Sequence, residues 1–201
     1  RDYFEALGLA DRTDIELPGE VLGKLSNLDG ASEMDYATAA FGQGIAVTPL
    51  AFLRAVSALA SGGALVKPTI IERIEVEGGQ DAVTKPEIRS GVLKAQTAET
   101  MTRMLVRVVD EALLDGTLKN PHYSIAAKTG TAQIADPKGG GYSDDYLHAF
   151  VGYAPAYDAK FSVFIFMERP QGERYAARTL SQPFMDLMDF LLSYYRVPPD
   201  R

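Results

Sequence analysis

The 201-residue sequence contains no cysteine, no tryptophan and only two histidines. Without cysteine, these residues form no disulfide and offer no thiolate as a metal ligand or nucleophile. His122 and His148 are isolated from each other, so the sequence favours no metal site. We interpret both histidines as ordinary polar or packing residues and expect neither a metal nor another cofactor.

Positive charge is also scarce, because 20 lysines and arginines stand against 27 acidic residues, which gives a net charge of −7. No basic stripe exists to neutralise phosphates, so we expect no nucleic-acid partner. No apolar run approaches the length that crosses a bilayer, and the sequence opens with neither a signal peptide nor an initiator methionine. With 46% hydrophobic residues the sequence can bury a core. Because it begins without a signal peptide or an initiator methionine, we expect it to be a piece of a longer protein.

Helical periodicity is clear in three stretches. Thr48 and Pro49 predict the first helix start, with a hydroxyl N-cap followed by proline at the first helical position. The second helix is predicted to have Thr97 as its N-cap, and the third to begin near Ser181 and Pro183. Shorter helices are predicted at residues 2–7 and 33–40.

Strand-like runs follow one another late in the sequence. Residues 124–133 are followed by β-rich apolar runs at 149–154 and 161–168, at spacings that predict an antiparallel meander. Residues 135–146 contain a proline and three consecutive glycines, which predicts a mobile, irregular loop. Strands and helices do not alternate one for one, so the sequence predicts an α+β fold, an antiparallel sheet flanked by helices.

Residues 124–133, SIAAKTGTAQ, carry the most readable chemistry. Because side chains alternate along a strand, Lys128 and Gly130 should lie on one face and Thr129 and Thr131 on the other. An ammonium beside a glycine suits an extended ligand that pairs with the strand edge and carries a negative group. A bare K-T-G tripeptide is more often an ordinary surface strand, so the longer context decides its meaning.

That context resembles class B penicillin-binding proteins, the monofunctional peptidoglycan transpeptidases. K-T-G is one signature of serine acyl-transferases, and KTGTAQ in full is similar to this family. Further similar stretches occur in the family's order: residues 8–20 (GLADRTDIELPGE), 41–50 (FGQGIAVTPL), 148–156 (HAFVGYAPA) and 194–201 (YYRVPPDR). The resemblance implies the penicillin-binding and serine β-lactamase-like transpeptidase fold in part, with residues 1–201 forming the C-terminal portion of the domain.

The family also carries S-x-x-K and S-x-N motifs, which provide the nucleophile and a proton shuttle. Neither occurs here: no serine or threonine stands three residues before any lysine, and no serine stands two residues before Asn27 or Asn120. In the family's order both motifs precede Arg1, so we expect them upstream. By resemblance the complete protein would be a D,D-transpeptidase of the bacterial cell envelope, on the outer face of the cytoplasmic membrane, anchored by an N-terminal segment absent from this chain.

The resemblance also assigns roles within the strand. It implies catalytic roles for Lys128, Thr129 and Gly130, with Lys128 supplying positive charge to the proton-shuttling network. The Thr129 and Thr131 hydroxyls would hold the terminal carboxylate of a D-Ala-D-Ala stem peptide or of a β-lactam antibiotic. The Thr131 backbone N–H would be an oxyanion donor, and Gly130 would keep the strand edge open.

Two more residues belong to the implied site. Gln133 would flank the bound peptide, and Tyr175 would wall the pocket from the loop before the last helix. The sequence departs from the family where Ala127 precedes K-T-G and where Ala176 and Ala177 follow Tyr175, since glycine is usual there. Extra methyl groups at these positions are expected to narrow the cleft or stiffen the loop.

Other functions stay open at this stage. A β-lactamase or β-lactam sensor shares K-T-G but fits the TPL helix and KTGTAQ less well. A non-catalytic envelope scaffold of the same fold is the alternative from another class, and divisome or elongasome proteins are the expected protein partners in either case. Upstream S-x-x-K and S-x-N motifs would favour the enzyme, and their loss would favour the scaffold.

The isolated 201-residue chain is predicted to form no covalent adduct with a fluorescent penicillin, because it contains no S-x-x-K serine. The measurement is in-gel fluorescence after denaturation, with circular dichroism as a control for folding. A labelled band that survives denaturation would contradict this prediction.

Overall fold

The computed structural model describes residues 1–30 and 32–201. The helices are α1 (Asp2–Ala6), α2 (Glu33–Ala39), α3 (Pro49–Ala60), α4 (Ala95–Arg107) and α5 (Ala176–Tyr194). The strands are β1 (Leu65–Val66), β2 (Arg73–Ile74), β3 (Ala82–Val83), β4 (Ile88–Arg89), β5 (Ala126–Ala135), β6 (Tyr142–Ala154) and β7 (Phe161–Glu168). Within the described ranges, no helix is long and apolar enough to cross a membrane.

The main sheet has three antiparallel strands in the order β5-β6-β7. This arrangement confirms the predicted meander and the α+β class. Two short antiparallel pairs, β1 with β4 and β2 with β3, form a separate excursion between α3 and α4. Each strand of that excursion has only two residues.

Helices cover both faces of the main sheet. On one face α5 packs on all three strands, and Phe150 of β6 stacks on Phe184 of α5 with ring centroids 4.2 Å apart. Both rings are fully buried. On the other face α4 packs on β5, and α3 packs on β6 and β7. Burial of apolar side chains on both sides makes the sheet a rigid support for its edge strand.

A buried hydroxyl pair ties α4 to the sheet. The Tyr153 hydroxyl of β6 lies 2.7 Å from Thr102 Oγ1 of α4, and both residues are buried. Burial raises the pKa of Tyr153, although the hydrogen bond to Thr102 acts in the opposite direction. The phenol therefore remains neutral at physiological pH and satisfies its polar atom inside the core.

The helix starts were predicted with mixed success. Thr48 Oγ1 accepts a hydrogen bond from the Ala51 backbone N–H, which confirms the predicted start of α3. The Thr97 cap is wrong, because α4 begins at Ala95 without a side-chain cap. The Thr97 N–H instead donates to the Lys94 carbonyl, 2.9 Å away, so Thr97 already lies in the first turn.

The last helix begins earlier than the sequence predicted. It starts at Ala176 rather than near Ser181, and Pro183 lies inside it. Because proline has no N–H, a start at or just before it was the natural prediction. The observed start is capped from elsewhere, since the Ala176 N–H donates to Thr131 Oγ1 of β5 over 3.0 Å.

The predicted loop at residues 135–146 is wrong over half of its length. β5 continues to Ala135 and β6 resumes at Tyr142. The pairing register shifts there, and Gln133 Nε2 donates to the Ser143 carbonyl over 3.1 Å while Ser143 Oγ donates to the Ile134 carbonyl over 3.0 Å. Irregular structure is confined to residues 136–141, where the glycines lie. The mobility of that segment stays a prediction.

The last residues of the sequence clasp the start of β5. The Asp200 carboxylate accepts hydrogen bonds from the Ser124 backbone N–H, at 2.7 Å, and from the Ser124 hydroxyl. Arg201 pairs with Asp110, with Nη2 and Oδ2 2.7 Å apart, and also donates to the Asn120 carbonyl over 3.3 Å. Because Ser124 is buried, the clasp satisfies polar groups that water does not reach.

The Asp200→Ala variant is predicted to lower the free energy of unfolding by about 1–2 kcal/mol, because two Ser124 donors lose a charged acceptor. Urea denaturation of the purified protein measures the change. Asp158→Ala is the matched control, since Asp158 forms an exposed ion pair with Lys160 and should change stability much less. Equal losses in both variants would contradict the clasp's contribution.

Candidate active site

The K-T-G strand lies at an edge of the main sheet. Only one edge of β5 is paired, with β6, and no strand in residues 1–30 or 32–201 pairs with its other edge. Backbone N–H and C=O groups along that free edge can accept an added extended peptide.

The pairing register gives each site residue a face. Thr129 stands opposite Phe150, whose ring packs against α5, and Thr131 stands opposite His148. Lys128 and Gly130 therefore lie on the opposite face, towards α3 and α4. This arrangement confirms the alternation predicted from the sequence.

Lys128 is an exposed cation without a carboxylate partner among the described residues. Its Nζ donates to the Thr129 carbonyl over 2.7 Å, and none of those residues places a carboxylate oxygen within 4.0 Å of it. One hydrogen bond leaves two of the three ammonium protons available. The side chain therefore retains both its charge and donor capacity for a ligand.

Thr131 joins the strand to the start of α5. Its Oγ1 accepts the Ala176 N–H, so the hydroxyl hydrogen remains free to donate to another acceptor. Tyr175 is the N-cap residue of α5 and is 57% exposed. The structure thus brings Thr131 next to the start of α5, beside Tyr175. The role of Tyr175 as a wall of the pocket stays a prediction.

Gly152 and Gly130 differ in the space that a Cβ atom would have. A Cβ at Gly152 would lie 2.5 Å from the Ala126 carbonyl oxygen and 2.5 Å from the Ala127 Cβ, so packing requires glycine there. A Cβ at Gly130 would meet only the Ala149 Cβ, at an ordinary 3.7 Å. The chain's own packing therefore does not require Gly130, and its open space is available to a ligand.

Gln133 lies two residues beyond Thr131, but part of its amide is already engaged. Its Nε2 donates to the Ser143 carbonyl, so the amide nitrogen braces the irregular start of β6. The side-chain amide oxygen of Gln133 takes no part in that contact. A position flanking a bound peptide stays a prediction for this residue.

The extra methyl groups pack into the core. Ala127 and Ala176 are both fully buried, and Ala127 belongs to the core cluster beneath α5. Ala177 packs partly against the same core. The expected narrowing of the cleft or stiffening of the loop stays a prediction.

His148 is a structural contact, which confirms its interpretation as a packing residue. The side chain is fully buried, with Nδ1 2.8 Å from Thr179 Oγ1 and Nε2 2.9 Å from the Arg174 carbonyl oxygen. It therefore bridges β6, α5 and the loop that precedes α5. Only the unusual polarity of a histidine within an apolar strand signalled this role in the sequence.

These groups give the edge strand a positive charge and hydrogen-bonding groups. An ammonium, two hydroxyls and unpaired backbone groups line one strand, which suits a peptide that ends in a carboxylate. The chemistry of bond cleavage needs a nucleophile in addition, and no S-x-x-K serine occurs in these 201 residues.

The chain resembles known proteins in both sequence and structure. A family model, the penicillin-binding protein transpeptidase domain, matches residues 1–189. Stage V sporulation protein D of Bacillus subtilis is 33% identical, and the match covers 91% of this chain and 28% of that protein. Peptidoglycan D,D-transpeptidase FtsI of Escherichia coli is 28% identical, with 99% of this chain and 32% of that protein covered.

A solved structure shows the same fold. Penicillin-binding protein 3 from Mycobacterium tuberculosis, complexed with ampicillin, has a TM-score of 0.86 and 31% identity, and 98% of this chain matches 46% of that chain. This chain therefore spans about a third of the length of the curated relatives. The family match over residues 1–189 and the shared fold confirm the resemblance to class B penicillin-binding proteins, and the chain belongs to the penicillin-binding protein transpeptidase domain family.

Proposed function

We propose that this chain supplies the K-T-G strand of a peptidoglycan D,D-transpeptidase that works through a serine acyl-enzyme. The observation that carries the proposal is the free edge of β5, where Lys128, Thr129 and Thr131 stand in sequence beside backbone groups without a strand partner. Gly130 adds open space that the chain's own packing does not require.

The substrate end of the proposed site recognises a carboxylate. The Thr129 and Thr131 hydroxyls bind the terminal carboxylate of a D-Ala-D-Ala stem peptide, and the Lys128 ammonium contributes favourable charge. A β-lactam carries a carboxylate in a comparable position, so it occupies the same edge. The relative complexed with ampicillin supports this substrate class.

The proposed reaction divides its work between this chain and the rest of the domain. A serine oxygen from outside these residues attacks the carbonyl carbon of the D-Ala-D-Ala peptide bond. The Thr131 backbone N–H is one donor to the resulting oxyanion, and Lys128 lowers the energy of the charges that move during acylation. The bond then breaks, the terminal D-alanine leaves as an amine, and an ester to the serine remains.

The proposed cross-link forms in the second half-reaction. An amine from another stem peptide attacks that ester, which forms a new peptide bond and releases the serine. Such a substrate lies outside the cytoplasmic membrane, so the complete protein belongs in the bacterial cell envelope and is anchored by a segment outside this chain. Divisome or elongasome proteins are its proposed partners there.

Lys128→Ala in the complete protein is predicted to reduce the second-order rate of acylation by a penicillin roughly 100-fold, because a charge-stabilising donor is lost. Lys128→Arg should restore part of the rate, since it keeps the charge but replaces a compact ammonium by a planar guanidinium. Stopped-flow or gel-based acylation measures the rate, and the melting temperature of each variant is measured alongside.

Lys160→Ala is the matched control, because Lys160 is exposed and pairs with Asp158 in the turn between β6 and β7. It should acylate at the wild-type rate. Lys128 is a structural residue if Lys128→Ala is acylated at the wild-type rate, or if its acylation rate falls only in proportion to the protein that unfolds. Absence of any penicillin adduct in the complete wild-type protein would instead favour the non-catalytic scaffold.

A further inference from the structure

Residues 173–178, at the start of α5, form a rim beside the K-T-G strand. This rim carries Arg174, which has no role in the proposed chemistry. The Arg174 guanidinium carbon lies 5.5 Å from the centre of the Tyr146 ring and 5.8 Å from the centre of the Tyr175 ring. Tyr146 stands opposite Gln133 in the pairing of β5 with β6. Arg174 is therefore on the Thr131 face of the sheet, about 7 Å further along the strand at roughly 3.3 Å per residue.

The backbone beneath this arginine is held by three side chains. Glu173 Oε1 accepts the Arg174 N–H over 3.0 Å and the Tyr175 N–H over 3.3 Å. Buried His148 lies 2.9 Å from the Arg174 carbonyl oxygen, and Thr131 accepts the next N–H along, that of Ala176. The position of Arg174 relative to the K-T-G strand is thus fixed by hydrogen bonds from the strand pair itself.

Arg174 has no ion-pair partner in residues 1–30 and 32–201, whereas its neighbours are paired. Arg169 pairs with Asp145 at 3.0 Å, and Arg178 lies 3.8 Å from Glu173. In the described part of the chain, no carboxylate oxygen lies within 4.0 Å of the Arg174 guanidinium. A guanidinium held over aromatic rings still presents its N–H groups at its edge, where they match a carboxylate.

We propose that Arg174 is a specificity-determining residue that binds a second carboxylate, carried on the acyl part of the peptide or β-lactam that occupies β5. This inference rests on the proposed function and deepens it. Thr129 and Thr131 hold the terminal carboxylate, and Arg174 holds an acidic group that lies about two residues further along the strand. Ligands that carry this second acidic group gain affinity over neutral ligands.

Two β-lactams test the proposal because they differ by one carboxylate on the acyl side chain. Carbenicillin is benzylpenicillin with an added side-chain carboxylate. The second-order acylation rates of both compounds are measured on the complete protein by competition with a fluorescent penicillin. The informative quantity is the ratio of the carbenicillin rate to the benzylpenicillin rate, since a general loss of folding lowers both rates together.

Arg174→Gln and Arg174→Ala are expected to lower this ratio about five-fold, as for loss of a partly exposed charge-assisted contact. Arg174→Lys should retain part of the preference because it keeps the charge. Raising the salt concentration should lower the wild-type ratio and leave the Arg174→Gln ratio nearly constant. Arg178→Ala removes a paired arginine from the same rim and should leave the ratio unchanged.

An unchanged ratio in Arg174→Gln, or an equal fall in Arg178→Ala, would overturn the assignment while leaving the proposed function intact. Absence of acylation of the wild-type protein by either compound would overturn the proposed function and the Arg174 assignment with it. A lower ratio confined to the Arg174 variants, together with a wild-type ratio that falls towards the Arg174→Gln ratio as salt is raised, supports the assignment.

Discussion

The bond between Thr131 and the first amide of α5 is the contact on which the candidate site depends. Thr131 belongs to the edge strand, and its hydroxyl accepts the Ala176 N–H. The neighbouring strand adds a second tie through His148, which reaches both the Arg174 carbonyl and Thr179. His148 and Ala176 are fully buried, so the hydrogen bonds that join strand and rim are costly to leave unmade.

Local signals in the sequence predicted the elements whose causes are local. The α3 start was found because Thr48 and Pro49 act on residues next to them. The α5 start was missed because its cap comes from Thr131, 45 residues earlier, and no local pattern announces such a contact. Likewise, β6 begins at Tyr142 despite the preceding glycines, because pairing with β5 and the Ser143 contacts stabilise an extended backbone there.

The candidate site was likewise predicted where its causes are local in the sequence and missed where they are long-range. The K-T-G strand was predicted because its residues are contiguous and their alternation follows from strand geometry. The surrounding rim was only partly predicted, since Tyr175 was assigned to it, His148 was named only as a packing residue and Arg174 was not named. Their significance comes from partners 26 to 31 residues apart, and these distances become visible only when the sheet and α5 are assembled. The inward direction of the Ala127 methyl also required the pairing of β5 with β6.

The clasp between Asp200 and Ser124 sets an order in which the domain can be completed during synthesis. Ser124 lies two residues before the K-T-G strand. Its backbone N–H and hydroxyl donate to Asp200, which comes 76 residues later in the sequence. When β5, β6 and β7 have left the ribosome, Asp200 has not yet been synthesised. The strand that carries Lys128 is therefore anchored at this point by residues synthesised after the rest of the sheet.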